Sequence, residues 1–98
     1  MRMRKKPNLQ PRMEKCAAVQ IMQPAFLRGH WHDKFPGKAL WLEIGCGKGR
    51  FTVGTAQENP DVELIALEKV EDAMVIAMER ACEAKTDNVR FISMDALK

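Results

Sequence analysis

Glycine occupies every second position of Gly45-Cys46-Gly47-Lys48-Gly49, and the flanks of this segment restrict what it can build. Before it, residues 39–44 read Ala-Leu-Trp-Leu-Glu-Ile, a short apolar run bounded by Gly37 and Gly45. Such a run predicts a buried parallel strand with apolar residues on both faces. After it, Lys48 to about Asn59 reads as a helix that Pro60 closes. Residues without side chains let a chain bend sharply at a strand end and approach a ligand closely. The N–H groups that open the following helix can hold a negative group. A strand, a glycine turn and a helix in this order therefore predict a ligand site on an α/β fold.

The rest of the chain repeats the alternation. Residues 62–67 read as a second strand. Glu71 to about Lys85 reads as a helix, with Val70, Met74, Ala77, Met78 and Ala81 along one stripe and Glu79 and Glu83 outside it. Glu71 and Asp72 suit its positive end and Lys85 its negative end. Residues 88–93 read as a third strand. Crossovers between parallel strands are nearly always right-handed, so β-α-β-α-β with short connections implies a parallel sheet ordered 3-2-1. In the helix that follows the turn, Phe51 and Thr55, with Val53 and Ala56, are expected to face the sheet. Gly54 there costs about 1 kcal/mol relative to Ala, which close packing would explain. Residues 1–37 form a separate N-terminal part, and 38–98 carry the α/β pattern. Residues 1–11 are polar and broken by Pro7 and Pro11, which predicts an extended arm. Met13, Cys16, Ala17 and Ile21 predict a short amphipathic helix from Arg12 to Met22, which Pro24 limits. Residues 28–37 read as loop.

Charge separates these two parts. Residues 1–38 hold nine Lys or Arg against Glu14 and Asp33, a net +7, while residues 39–98 carry a net −4. A basic arm on an acidic body suggests a polyanionic partner, a nucleic acid being the obvious one; the plainer reading is a solvated tail. Arg2, Arg4, Lys5 and Lys6 are the candidate phosphate contacts, and such contacts weaken steeply with salt. No run of 18 apolar residues is present, so no membrane span is expected. The basic N-terminus lacks an apolar signal core, which points to the cytoplasm. Cysteines at 16, 46 and 82 are odd in number and widely spaced, so reduced thiols are the simplest reading. His30 and His32 beside Asp33 lack further ligands and read as surface residues, so no metal is expected. Trp41 and Trp31 are expected to pack rather than stack on bases, and the seven Met read as core filler. Cys46 lies near a helix start, where a thiol can be acidified. Its plainer role is a small side chain in a crowded turn.

Glu68 ends the second strand, 25 residues after Glu43. A carboxylate at that place can accept two hydrogen bonds from ribose hydroxyls, so turn and acid together read as an adenosine site. The dinucleotide pattern GxGxxG would need glycine at 50, where the chain has Arg50. That argues against a nicotinamide-dependent oxidoreductase, the main alternative enzyme. A non-catalytic RNA- or cofactor-binding module is the other alternative. The spacing GxGxG, with Glu43 two residues ahead of the first glycine, resembles the first motif of Rossmann-like methyltransferases.

The resemblance extends along the chain. Glu43 to Phe51, Asn59-Pro60, Ile65 to Lys69, Asn88 to Arg90 and Asp95-Ala96, with the opening Met-Arg-Met-Arg-Lys-Lys-Pro, resemble the bacterial tRNA (guanine-N7-)-methyltransferase family. This likeness implies a three-layer Rossmann-like fold that binds S-adenosyl-L-methionine and methylates N7 of a guanine in the tRNA variable loop. By carry-over, Glu43, Glu68 and Asp95 match cofactor contacts, and Gly45, Gly47 and Gly49 form the turn that holds the methionine portion. Asp95 would reach the adenine edge. Guanine N7 is an unprotonated lone-pair donor, so positioning carries most of the catalysis and no general base is required. Nearby carboxylates can offset the positive charge developing on the purine. The family's later Pro-Asp-Pro-Trp segment has no counterpart in these 98 residues, so no catalytic residue is assigned. The chain is expected to be an N-terminal fragment, inactive alone. In the family's sheet a fourth strand pairs with the first; without it, residues 39–44 would be an open apolar edge that favours self-association.

Overall fold

A computed structural model describes residues 8–94. The elements are α1 (Leu9–Lys15), two 3-10 turns (Ala17–Val19 and Pro24–Leu27), α2 (Trp31–Lys34), β1 (Ala39–Ile44), α3 (Arg50–Glu58), β2 (Val62–Glu68), α4 (Glu71–Glu83) and β3 (Val89–Ser93). The three strands form one parallel sheet with β2 in the middle. This is the expected neighbour relation, 3-2-1 read from the β3 edge.

Alternation along β2 sorts its side chains to two faces. Leu64 and Ala66 join Val53 and Ala56 of α3, Met74, Ala77, Met78 and Ala81 of α4, and Val89 and Phe91 of β3 in the larger core. Ile65 and Leu67 join Ile92, Phe35 and Ile21 on the other face, where Leu27, Trp31 and Leu40 pack against them. The stripe of α4 from Met74 to Ala81 is fully buried as its spacing requires. Burying a Met or Phe side chain contributes about 1.5–3 kcal/mol each relative to leaving it exposed. Val70, expected on that stripe, is instead the partly exposed residue that caps α4. The helix stops at Glu83, and Lys85 beyond it takes a left-handed conformation, φ 54°.

The helix expected from Arg12 to Met22 instead starts at Leu9, within the stretch expected as an extended arm, and breaks early. Helix α1 ends at Lys15, a 3-10 turn follows, and Gln20 then runs parallel to Phe91, with Ile21 N donating to Phe91 O at 2.9 Å. The reason is packing. Met13, Cys16 and Val19 belong to the core beneath α4, whereas Ile21 belongs to the opposite face. A continuous helix would stay on one side; an extended stretch carries the chain around the β3 edge. Helix α1 is held to α4 by Arg12, which donates from Nε and Nη2 to the two Glu79 oxygens at 2.8 and 2.5 Å.

Two expected burials fail for one physical cause. Trp41 is 43% exposed and Phe51 is 77% exposed. Strand β1 has β2 on one side and nothing among the described residues on the other. It is therefore not the strand buried on both faces that its composition suggested. In α3 the inward face is Thr52, Val53 and Ala56, with Thr55 half-buried. Gly54 has no neighbour that an added Cβ would meet, so nothing in the structure requires glycine there.

Asn88 closes the bottom of this unit. Its buried Nδ2 donates to the carbonyls of Ala56, Asn59 and Val62 at 2.8–3.0 Å, satisfying groups at the end of α3 and the start of β2. Glu63 is buried at the same end, between Lys38 Nζ at 3.8 Å and Arg90 Nη1 at 3.5 Å. Burial raises its carboxyl above the ordinary range, and the two cations oppose that rise.

Candidate functional site

The site forms where β1 and β2 end. Gly45 N and Cys46 N both donate to Leu67 O, at 2.8 and 3.2 Å, so the turn is pinned to the end of β2. Val53 N then donates to Gly49 O at 2.9 Å and starts α3. The glycines have separate tasks. Gly45 and Gly47 have φ of 79° and 57°, a region side chains avoid, and an added Cβ at either would meet nothing within 4 Å. They leave bare backbone beside open space. Gly49 shares the positive φ, at 79°, and is in addition a packing residue: a Cβ there would lie 2.4 Å from Ala77 Cβ and 2.7 Å from Ala77 Cα. Helix α4 passes too close for any side chain at 49.

Both carboxylates singled out in the sequence stand at this turn. Glu68 Oε1 accepts from Gly47 N at 2.7 Å and Oε2 accepts from Val70 N at 3.1 Å. Its side chain thus ties the glycine turn to the start of α4. Each oxygen keeps a lone pair for a further donor. Glu43 Oε1 accepts from the hydroxyl of Thr52, which is fully buried in α3. Cys46 lies near both acids. Burial first, then Glu68 and Glu43, push its thiol up to about 12. It is a neutral small side chain, the reverse of an acidified nucleophile.

The structure therefore brings together Glu43, Gly45, Gly47, Gly49 and Glu68. Asp95, Arg2, Arg4, Lys5 and Lys6 lie outside the described residues. Two supporting residues escaped the sequence reading. Thr52 holds Glu43, and its signal was a polar residue on the inward face of α3. Ala77 makes room for Gly49, and its signal was a small residue on an otherwise bulky stripe. His30 Nδ1 lies 3.1 Å from Asp33 Oδ2 on the exposed surface. Among the described residues no three His, Cys, Asp or Glu side chains gather in a metal-binding group. No helix among them is long and apolar enough to cross a membrane.

Chemically, the site offers two carboxylates, bare turn backbone and a helix start. It can hold hydroxyls and a cationic group; it presents no paired nucleophile and base. A family model described as "Putative methyltransferase" matches residues 37–98. The tRNA (guanine-N(7)-)-methyltransferase of Halalkalibacterium halodurans is 41% identical over 96 residues, covering 97% of this chain and 44% of that protein. Among solved structures, the antibiotic-resistance methyltransferase Kmr aligns with a TM-score of 0.59 at 25% identity, over 69% of this chain and 37% of Kmr. Coclaurine N-methyltransferase bound to N-methylheliamine and SAH aligns at 0.56, over 97% of this chain and 25% of that one; at 14% identity this is a likeness of fold. The chain spans less than half the length of the curated relatives it matches.

Proposed function

Because the chain belongs to this methyltransferase family, we propose that residues 38–98 form the S-adenosyl-L-methionine side of a tRNA (guanine-N7)-methyltransferase. The observation that carries the reading is Glu68: one carboxylate bridges Gly47 N and Val70 N beside the open face of the turn. A ribose diol placed there would meet the two remaining lone pairs, and Gly45 and Gly47 would let it lie against backbone. Glu43, oriented by Thr52, would neutralise the ammonium of the methionine portion. Asp95 would serve the adenine edge. The cofactor supplies a methyl group already activated on a sulfonium. Guanine N7 arrives as a free lone pair, so the work of this chain is to hold and orient.

The same reading assigns residues 1–37 to tRNA contact through Arg2, Arg4, Lys5 and Lys6, and places the protein in the cytoplasm. It completes the sheet as a three-layer Rossmann-like fold. Arg50, standing where a dinucleotide turn needs glycine, disfavours the nicotinamide alternative. The open edge of β1 gives the 98-residue chain a surface for self-association.

The test is calorimetric binding of S-adenosylhomocysteine to Glu68→Ala and Glu68→Gln variants whose circular dichroism matches the parent. Glu68→Ala should lose at least about tenfold in affinity, the value of one charge-assisted hydrogen bond. Glu68→Gln, which can still accept from one amide, should fall between. Unchanged affinity in both would remove Glu68 from the cofactor site.

A further inference from the structure

Two residues of α3 have no role in the cofactor site. Gly54 lies inside the helix, and no part of the described chain occupies the space that an added Cβ would enter. Arg50 opens the same helix and is exposed. Arg50, Val53, Gly54 and Gln57 follow the spacing i, i+3, i+4 and i+7, so they share one face of α3. That face meets Arg80 and Glu83 of α4 across an open groove of about 440 Å³.

Two ties set the separation of the helices here. At one end Gly49 admits Ala77 of α4 against the turn. At the other, Gln57 Nε2 donates to Thr86 Oγ1 at 3.2 Å. The ties bracket the groove in both segments, because 50–54 falls between 49 and 57, and 80–83 between 77 and 86. The groove is cationic: two arginines line it against the single carboxylate of Glu83. Among the described residues neither Arg50 nor Arg80 has a salt-bridge partner, whereas Arg12 and Arg90 face Glu79 and Glu63. Val53 is buried beneath, and Gly54 leaves bare helix backbone at the floor.

Taking tRNA as the substrate, as the preceding reading does, we propose that this groove holds the sugar-phosphate backbone of the RNA. Arg50 and Arg80 contact phosphates from its two sides, and Gly54 gives the strand room to lie close to α3. Arginine suits this work because its planar fork donates two hydrogen bonds to phosphate oxygens at once. The groove is open to solvent rather than enclosed, which fits a continuous strand better than a small anion. It begins at the first residue of α3, directly after the glycine turn, so a strand lying in it leads toward the cofactor site.

The test is fluorescence anisotropy of a labelled, unmodified tRNA transcript with the 98-residue chain, between about 50 and about 200 mM salt. Variants are compared once their circular dichroism matches the parent. Arg50→Gln and Arg80→Gln should each weaken binding about tenfold at the lower salt and reduce the slope of log K against log salt by about 1. Lys85→Gln removes an equal charge just outside the groove and should change affinity and slope far less. Glu83→Gln should tighten binding. Gly54→Ala should raise the thermal midpoint yet weaken binding, because the methyl favours the helix and fills the floor. Inorganic phosphate at matched ionic strength should not displace the tRNA. Displacement that Arg50→Gln abolishes would make this a small-anion site and overturn the RNA assignment. Arginine variants with the parent's affinity and slope overturn the proposal while leaving the tRNA reading intact; a parent chain without salt-dependent tRNA binding overturns both.

Discussion

Ile44 in β1 and Ile92 in β3 lie in the same row of the sheet, each in register with Leu67 of β2. Ile92 is 2% exposed and Ile44 is 65% exposed. The residue type is identical, so the difference belongs to the two edges. At the β3 edge the chain folds back: Gln20 bridges Phe91, Ile21 packs beside Ile92, and α4 covers the other face. At the β1 edge an open groove of about 610 Å³ is lined by Leu40, Trp41, Leu42, Ile44 and Phe51, among others. One edge is finished by residues of this chain, and the other presents bare peptide groups and apolar side chains. Burial in a sheet is thus set by what lies next to a strand, and composition records only what the strand is prepared for.

The largest test of this contrast uses that row. Ile92→Ala should destabilise the chain by about 2–5 kcal/mol, as buried aliphatic truncations do, whereas Ile44→Ala should fall within about 0.5 kcal/mol. Urea unfolding of the two variants measures both. Equal losses would mean that β1 is covered in solution.

Sedimentation of the 98-residue chain across concentration examines that cover directly. If the open edge pairs copies, Ile44→Lys should weaken association by at least about tenfold, because a charge on an edge strand opposes pairing. A parent chain that stays monomeric would restrict the β1 edge to an exposed surface.

A smaller effect is expected at the finished edge, where α1 docks. The hydrogen bond from Arg12 holds the Glu79 carboxyl below the ordinary range. Its contribution is therefore present above the unfolded carboxylate pKa and is lost as pH falls through the lowered folded value. The stability gap between parent and Glu79→Gln should be flat from neutral pH to about 5 and narrow below about 4. Glu63 works in the opposite sense: its raised carboxyl means that the cost of the buried charge eases as pH falls. Only the difference between parent and variant isolates Glu79, and a gap that widens in acid would contradict the pairing. The effect is small because both partners are partly solvated.

Much of the fold was legible because its signals are local. The stripe from Met74 to Ala81 needs only the helical period, and residues 62–67 need only a short apolar run, broken once by Glu63. Glu43, Glu68 and the glycines were legible as a site because strand ends bring them to one place in any parallel α/β unit. What misled were burials and a helix extent judged from composition and period alone. Phe51 and Trp41 are large and apolar, so they read as core; their exposure depends on an edge that no local pattern encodes. Residues 12–22 matched a helical period, but Val19 and Ile21 go to opposite faces, and only the sheet between them makes that necessary.

The sequence by itself determined the order of strands and helices, the glycine turn and its acids, and, through likeness, the family. Periodicity, glycine spacing and charge are properties of short stretches and survive without coordinates. Tertiary structure decided how the three glycines divide their labour, with Gly49 pressed by Ala77 while Gly45 and Gly47 stay open. It decided that Glu68 spans Gly47 and Val70 and that Thr52 holds Glu43. Gly49 with Ala77, Gly47 with Glu68 and Glu43 with Thr52 join residues separated in the chain, and such pairings exist only after the strands have set the distances between their ends.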